Sequence, residues 1–362
     1  MRFLLAVLLL CGSFVASAQV PLERIRLPPG FSIDTFAAVP QARSLALGTN
    51  GTVFVGTRSG RVYALKPTPD GGRGEPIVIA DGLDNPNGVA FRDGALYVAE
   101  ISRILRFDNI ESRLTAPPQP AVVTDRFPSE AHHGWKFIAF GPDGWLYVPV
   151  GAPCNVCEPS ERHALLARIH PDGGDYEVFA RGIRNTVGFD WHPDTGELWF
   201  NEHGRDSMGD DMPSCELNRA PKAGMHFGFP YCHQGDTPDP EFGRRRACSE
   251  FTPPALKQGG HVAPNGLRFY TGTMFPPEYR NRIFIAQHGS WNLSKKSGYR
   301  VMMVTVKNGK AEQYEPFATG FLDGEKTLGR PVDLLVLRDG SLLISDDYGG
   351  RVYRVTYRAP GS

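Results

Sequence analysis

Three short segments of this chain carry side chains able to move protons and hold anions. Glu130-Ala131-His132-His133-Gly134 offers imidazoles, Gly182-Ile183-Arg184-Asn185-Thr186 a guanidinium beside an amide, and Thr327-Leu328-Gly329-Arg330-Pro331 a second guanidinium. A histidine accompanied by two arginines suits a general base beside a multiply anionic ligand, because arginine presents a fixed fork of donors to carboxylates. A fourth segment, Asn201-Glu202-His203-Gly204-Arg205-Asp206-Ser207-Met208-Gly209-Asp210-Asp211, gathers acids in a glycine-bearing loop. Oxygen donors of that kind favour a hard cation such as Ca2+, although the EF-hand spacing is absent. In His288-Gly289-Ser290-Trp291-Asn292 an indole stands in a polar loop, where it can cover a planar ligand. The other tryptophans, Trp135, Trp145, Trp191 and Trp199, read as packing between strands. A Gly-x-Ser-x-Gly elbow, a dinucleotide fingerprint and a phosphate loop are all missing, which argues against nicotinamide and ATP chemistry.

A repeat positions these segments. Six times the chain shows an apolar run, a tight polar-glycine turn and a second apolar run. Val89-Ala90-Phe91, Asp93-Gly94 and Ala95-Leu96-Tyr97-Val98 form one example; Phe137-Ile138-Ala139-Phe140, Pro142-Asp143-Gly144 and Trp145-Leu146-Tyr147-Val148 form another. Alternation around Asp-Gly or Asn-Gly predicts β-hairpins. The turns recur about every 43–60 residues, with one wider gap across 205–265. That period predicts an all-β, six-bladed β-propeller with four-stranded antiparallel blades, and one long insertion around 205–265. The three chemical segments then hold the same place in blades three, four and six, just before the innermost strand.

Composition narrows the rest. The chain has 362 residues, 41% of them apolar, with 39 Lys plus Arg against 39 Asp plus Glu. A formal charge of zero without a basic stripe excludes duplex nucleic acid as a partner. The 41 glycines and 31 prolines favour turns and short strands over long helices. Met1-Arg2, an apolar run over 3–10 and Ala16-Ser17-Ala18 predict a signal peptide at 1–18, cleaved near Ala18. The expected product is a single domain over 19–362, periplasmic or secreted, without a membrane span. Of the remaining cysteines, Cys154 and Cys157 read as a disulfide pinning a loop, since Glu158 excludes c-type haem and no second pair completes a zinc set. Cys232 with Cys248 is the next pair, leaving Cys215 over.

At these residues the chain resembles the soluble pyrroloquinoline quinone (PQQ)-dependent sugar dehydrogenases, in particular the L-sorbosone dehydrogenase-like and aldose sugar dehydrogenase branch. The resemblance runs from about Leu27 to Tyr357. Its most specific stretches are His133-Gly134-Trp135-Lys136-Phe137 through Gly141-Pro142-Asp143-Gly144, then Gly182-Ile183-Arg184-Asn185, Asn201-Glu202-His203-Gly204 and His288-Gly289-Ser290-Trp291-Asn292. It implies His133 as catalytic base, the spacing to the Pro-Asp-Gly turn selecting it over His132. Neighbours in an extended segment point to opposite sides, which sends His132 toward the adjoining blade. The resemblance further implies that Arg184 and Asn185 bind the quinone's carboxylates and carbonyl oxygens, and that Arg330 and Trp291 face the cofactor. The backbone carbonyls of Gly204 and Arg205 would hold Ca2+, Arg205 standing where glucose-oxidising relatives have proline.

There are departures. Cys215 replaces an acidic residue before Glu216-Leu217-Asn218. Lys295 and Lys296 lie several residues from the family's cofactor-contacting lysine, and Asn87 is the candidate for its blade-two glutamine. The implied reaction is oxidation of an aldose or sorbosone-like aldehyde by hydride transfer to PQQ, with an external cytochrome or quinone as electron acceptor. Two rivals share the fold: a calcium-dependent propeller lactonase or hydrolase, which needs no paired cationic clamps, and a non-catalytic binding propeller, which reduces no dye when given PQQ.

Overall fold

Strands of the repeat are apolar on both faces, and that dictates the architecture. Val53 and Val55 face one way and Phe54 the other, yet all three are fully buried. A sheet buried on both faces needs a sheet on each side, and a ring of sheets satisfies every member. The structure, a computed structural model, describes residues 20–67, 74–359 and 361. The leader expected at 1–18 lies outside the described residues.

Six sheets of four or five strands form the ring. Blade one comprises Ala42–Leu47, Val53–Thr57, Val62–Leu65 and Ile77–Ala80; blade two comprises Gly88–Arg92, Ala95–Ala99, Ile104–Phe107 and Ala121–Thr124. Blade three contains Ala139–Phe140, Leu146–Val150, Leu165–Ile169 and Tyr176–Arg181, extended by the parallel strand Met225–His226. Blade four is Phe189–Trp191, Leu198–Glu202, Ser214–Ala220 and Leu256–Gly260. Blade five is Pro264–Phe269, Ile283–Gln287, Arg300–Lys307 and Lys310–Ala318. The stretch 205–265 therefore contains both outer strands of blade four. The extra chain is 221–255, pinned by the Cys232–Cys248 disulfide.

Blade six closes the ring. Its strands Pro331–Val336, Leu342–Asp346 and Arg351–Tyr357 are completed by Phe31–Ala38 from the other end of the chain, with Phe31 opposite Tyr357 and Ala38 opposite Arg351. The Phe31 ring meets Phe275 at 4.7 Å and Phe317 at 5.2 Å. Phe31→Ala should cost about 3 kcal/mol in chemical denaturation, the lower end of the range for a phenylalanine that packs on one side. A change under 0.5 kcal/mol would show that the closing strand adds nothing.

Successive blades meet through separate apolar clusters. Val53, Val55 and Tyr63 pack on Leu335, Leu343 and Val352 of blade six, while Phe54, Val62 and Ala64 pack on Leu96, Val98 and Leu105 of blade two. The same alternation sends Leu146 and Val148 toward blade two and Tyr147 toward blade four. Near the axis the inner strands converge so closely that side chains are excluded: a Cβ on Gly188 would lie 1.9 Å from the Asn265 carbonyl oxygen. Among the described residues no helix is long and apolar enough to cross a membrane.

Candidate active site

Loops that enter the innermost strands, and loops that leave the second strands, all open on one face of the ring. There His133, Arg184, Asn185, Gly204, Trp291 and Arg330 line a single cleft of about 270 Å³. Arg205 is absent from its wall, because its guanidinium turns away to Asp239 at 2.6 Å.

His133 sits in a left-handed backbone conformation, φ 53°. Its Nδ1 lies 2.8 Å from the Ala152 carbonyl oxygen, which can only accept, so Nδ1 carries the proton and Nε2 keeps its lone pair. Burial, followed by the nearby Arg184 charge and His132, pulls the imidazole pKa from 6.5 down to about 2. The ring is therefore neutral at neutral pH. His132 departs from the expectation drawn from an extended strand. The segment is a turn, so alternation does not apply; His132 is exposed and its ring lies 4.0 Å from that of His133.

Two residues hold this turn. Lys136 is buried and its Nζ donates to the Ile101 and Gly134 carbonyls. Gly151 backs onto His133: a Cβ there would stand 2.5 Å from the His133 Cβ and 3.1 Å from the Asn185 Oδ1. Gly151→Ala should push the imidazole out of its present position, visible as a moved ring in the variant's crystal structure. An unmoved ring would show that the site tolerates the methyl group.

Arg184 is a buried hub. Its backbone N–H donates to Glu202 Oε1 at 2.6 Å, and its side chain donates to the Asn155 carbonyl at 2.8 Å and Asn155 Oδ1 at 2.9 Å. Asn155 lies inside the Cys154–Cys157 disulfide loop, so the bridge read from sequence as loop-pinning also positions the arginine's partner. His203 donates from Nε2 to the Pro264 carbonyl at 3.0 Å and accepts Asn185 Nδ2 on Nδ1 at 3.2 Å. Burial pulls its pKa down to about 4, so it orients Asn185 as a neutral ring. Behind them Glu202 and Glu216 are cross-strand partners bridged by Asn218 Nδ2, and burial pushes both carboxyl pKa values up.

The acidic loop does not converge on one point. Asp206 accepts from Asn292 at 3.0 Å and lies 3.4 Å from Arg184, while Asp210 accepts the Ser294 N–H at 3.3 Å. Among the described residues no three His, Cys, Asp or Glu side chains gather as a metal set. The Gly204 and Arg205 carbonyl oxygens receive no hydrogen bond from the described residues, which leaves them open to a hard cation. The free thiol of Cys215 shares this wall.

Across the cleft, Arg330 donates to the His288 and Gly289 carbonyls at 2.9 and 2.7 Å. His288 and Arg43 each bond Asp347 at 2.8 Å. The sequence reading missed three residues here. Trp135 is a cleft wall and not blade packing, because Arg43 and Arg58 lie over its ring at 5.0 and 3.9 Å. Arg43 could have been found: it enters the inner strand of blade one as Arg184 and Arg330 precede those of blades four and six. Arg58 follows a second strand and carries no motif. Lys295, Lys296 and Asn87 do not line the cleft; Lys296 Nζ donates to the Glu325 carbonyl at 2.6 Å, and Asn87 is buried behind Arg43.

The glucose/sorbosone dehydrogenase family model matches residues 99–354. An uncharacterized protein of Borreliella burgdorferi is 31% identical over 98% of this chain and 96% of its own length. Among solved structures, a calcium structure of a Trichoderma reesei carbohydrate-active enzyme of family AA12 superposes with a TM-score of 0.80 at 18% identity, covering 95% of this chain and all of that one. The PQQ-bound form of aldose sugar dehydrogenase from Streptomyces coelicolor superposes with a TM-score of 0.67 at 20% identity, over 92% of this chain and all of that one. At these identities the two structures establish the shared fold.

Proposed function

The chain belongs to the glucose/sorbosone dehydrogenase family, and from that premise we propose that it oxidises an aldose or a related sugar aldehyde with PQQ and Ca2+ as cofactors. One observation carries the reading: an imidazole with a free Nε2 shares a cleft with Arg184 and Arg330. The donor set fits the cofactors. Guanidinium groups match the carboxylates of PQQ, the unbonded Gly204 and Arg205 carbonyls match a hard cation, and Trp291, 77% exposed, offers an aromatic face. When bound, PQQ supplies the hydride acceptor and Ca2+ the charge that polarises it.

The chain's own residues do the rest. His133 Nε2 accepts the proton of the substrate hydroxyl, while the Nδ1–Ala152 bond keeps the ring in the required tautomer. Arg184, Asn185 and Arg330 bind the cofactor's anionic groups. An anion on Arg184 offsets one of the charges that hold the His133 pKa low. Two disulfides suit an oxidising compartment, in keeping with an exported enzyme that passes electrons to a cytochrome or quinone.

Calorimetry on apo-protein should show one PQQ bound per chain in the presence of Ca2+, and the loaded protein should reduce a redox dye with aldoses. No heat at micromolar concentrations would sink the proposal. Hydrolysis of a lactone with Ca2+ alone would replace it with the lactonase reading.

A further inference from the structure

The arginines of the cleft are not equivalent. Arg184 spends four of its five N–H donors on Asn155, His203 and Asp206. Arg330 is bonded to two carbonyls, and Arg43 to Asn87 and Asp347. Arg58 alone makes no hydrogen bond to any described residue. Its nearest carboxylate is Asp347 at 4.0 Å, beyond hydrogen-bond reach, and both Asp347 oxygens are already taken, Oδ1 by His288 and Oδ2 by Arg43. Yet Arg58 is not loose in solvent. Its guanidinium lies 3.9 Å over the Trp135 ring and its side chain is 39% exposed, so the indole fixes it at the cleft wall with its donors unspent.

Place adds to chemistry. Arg58 belongs to blade one, and Arg184 enters blade four, which faces blade one across the six-membered ring. Trp135 follows His133 by two residues on the same segment. An anion held by Arg184 therefore leaves a second cationic group on blade one, stacked on the indole of the segment that also carries the base. A guanidinium with free donors in a partly enclosed cleft selects carboxylate or phosphate, which it binds through paired N–H groups.

We propose that Arg58 and Trp135 form a subsite for the anionic group of an acidic sugar, so that the preferred substrate is a uronic acid or a sugar phosphate and not a neutral aldose. This rests on the reading of the cleft as a sugar-oxidising site.

Glucose, glucuronate and glucose 6-phosphate share the same anomeric carbon and differ at C6. With the PQQ- and Ca2+-loaded protein, kcat/KM for one of the two acids should exceed that for glucose by at least tenfold. Which acid gains distinguishes carboxylate from phosphate. Added salt should shrink the advantage, Arg58→Gln should abolish it, and Arg58→Lys should retain part of it. Methyl glucuronide and methyl glucoside 6-phosphate, whose anomeric centres are blocked, provide a readout without turnover. Binding of the preferred one by calorimetry should weaken at least tenfold in Arg58→Gln while PQQ affinity is retained. Equal kcat/KM for the three sugars overturns the proposal, and so does a loss of PQQ affinity in Arg58→Gln, which would assign the guanidinium to the cofactor. If none of the sugars is oxidised, the sugar-oxidising reading fails. Binding of methyl glucuronide and methyl glucoside 6-phosphate then decides the subsite: Arg58-dependent binding of either upholds it, and no binding of both overturns it.

Discussion

Cofactor-loaded His133→Gln should turn over about 10²–10⁴-fold more slowly than the parent protein, the usual contribution of a general base. PQQ binding should persist, because glutamine fills a similar volume and the arginines are untouched. The geometry makes the prediction specific. His133 alone of the two adjacent histidines lines the cleft, and its Nδ1–H bond to Ala152 leaves Nε2 as proton acceptor. His132 is exposed and touches the cleft only through the neighbouring ring, so His132→Gln should cost far less. Rates for both variants with one reactive aldose decide the matter. A dead His132→Gln beside an active His133→Gln would transfer the role to the other ring, and full activity in both would remove the general-base mechanism.

Arg184→Ala should weaken PQQ binding by ten- to a hundredfold, about 1.5–3 kcal/mol for losing a charge-assisted contact. Arg184→Lys should recover little. An ammonium is a point charge, whereas this guanidinium spans Asn155, His203 and Asp206 at once. The Cys154–Cys157 loop should act in the same direction: replacing both cysteines with serine frees Asn155, and PQQ affinity should fall with no residue of the cleft wall changed. Calorimetry with Ca2+ present measures all three variants. Affinity unchanged in Arg184→Ala would move the cofactor away from this arginine.

Hairpins, blade count and the order of the cleft segments were legible because the information is local. An Asp-Gly turn pairs the runs on either side of it, and a strand that is apolar on both faces can only be an interior layer. Recurrence then placed Arg184 and Arg330 at one topological position. The same logic applied to blade one would have reached Arg43. Other features had no local signal. The Phe31–Ala38 strand closes blade six by pairing with the far end of the chain, and nothing within either segment announces the other. Strand alternation sends His132 toward the adjoining blade, yet His133 is left-handed and the segment is a turn, held by the Lys136 anchor and closely backed by Gly151. Trp135 reads as packing from sequence, because the residues beside a tryptophan do not tell a core from a wall. Only the closed ring brings Arg43 and Arg58 of blade one over an indole that enters blade three. Strand chemistry is thus written into neighbouring residues, whereas the charges of the cleft are set by which loops the ring brings face to face.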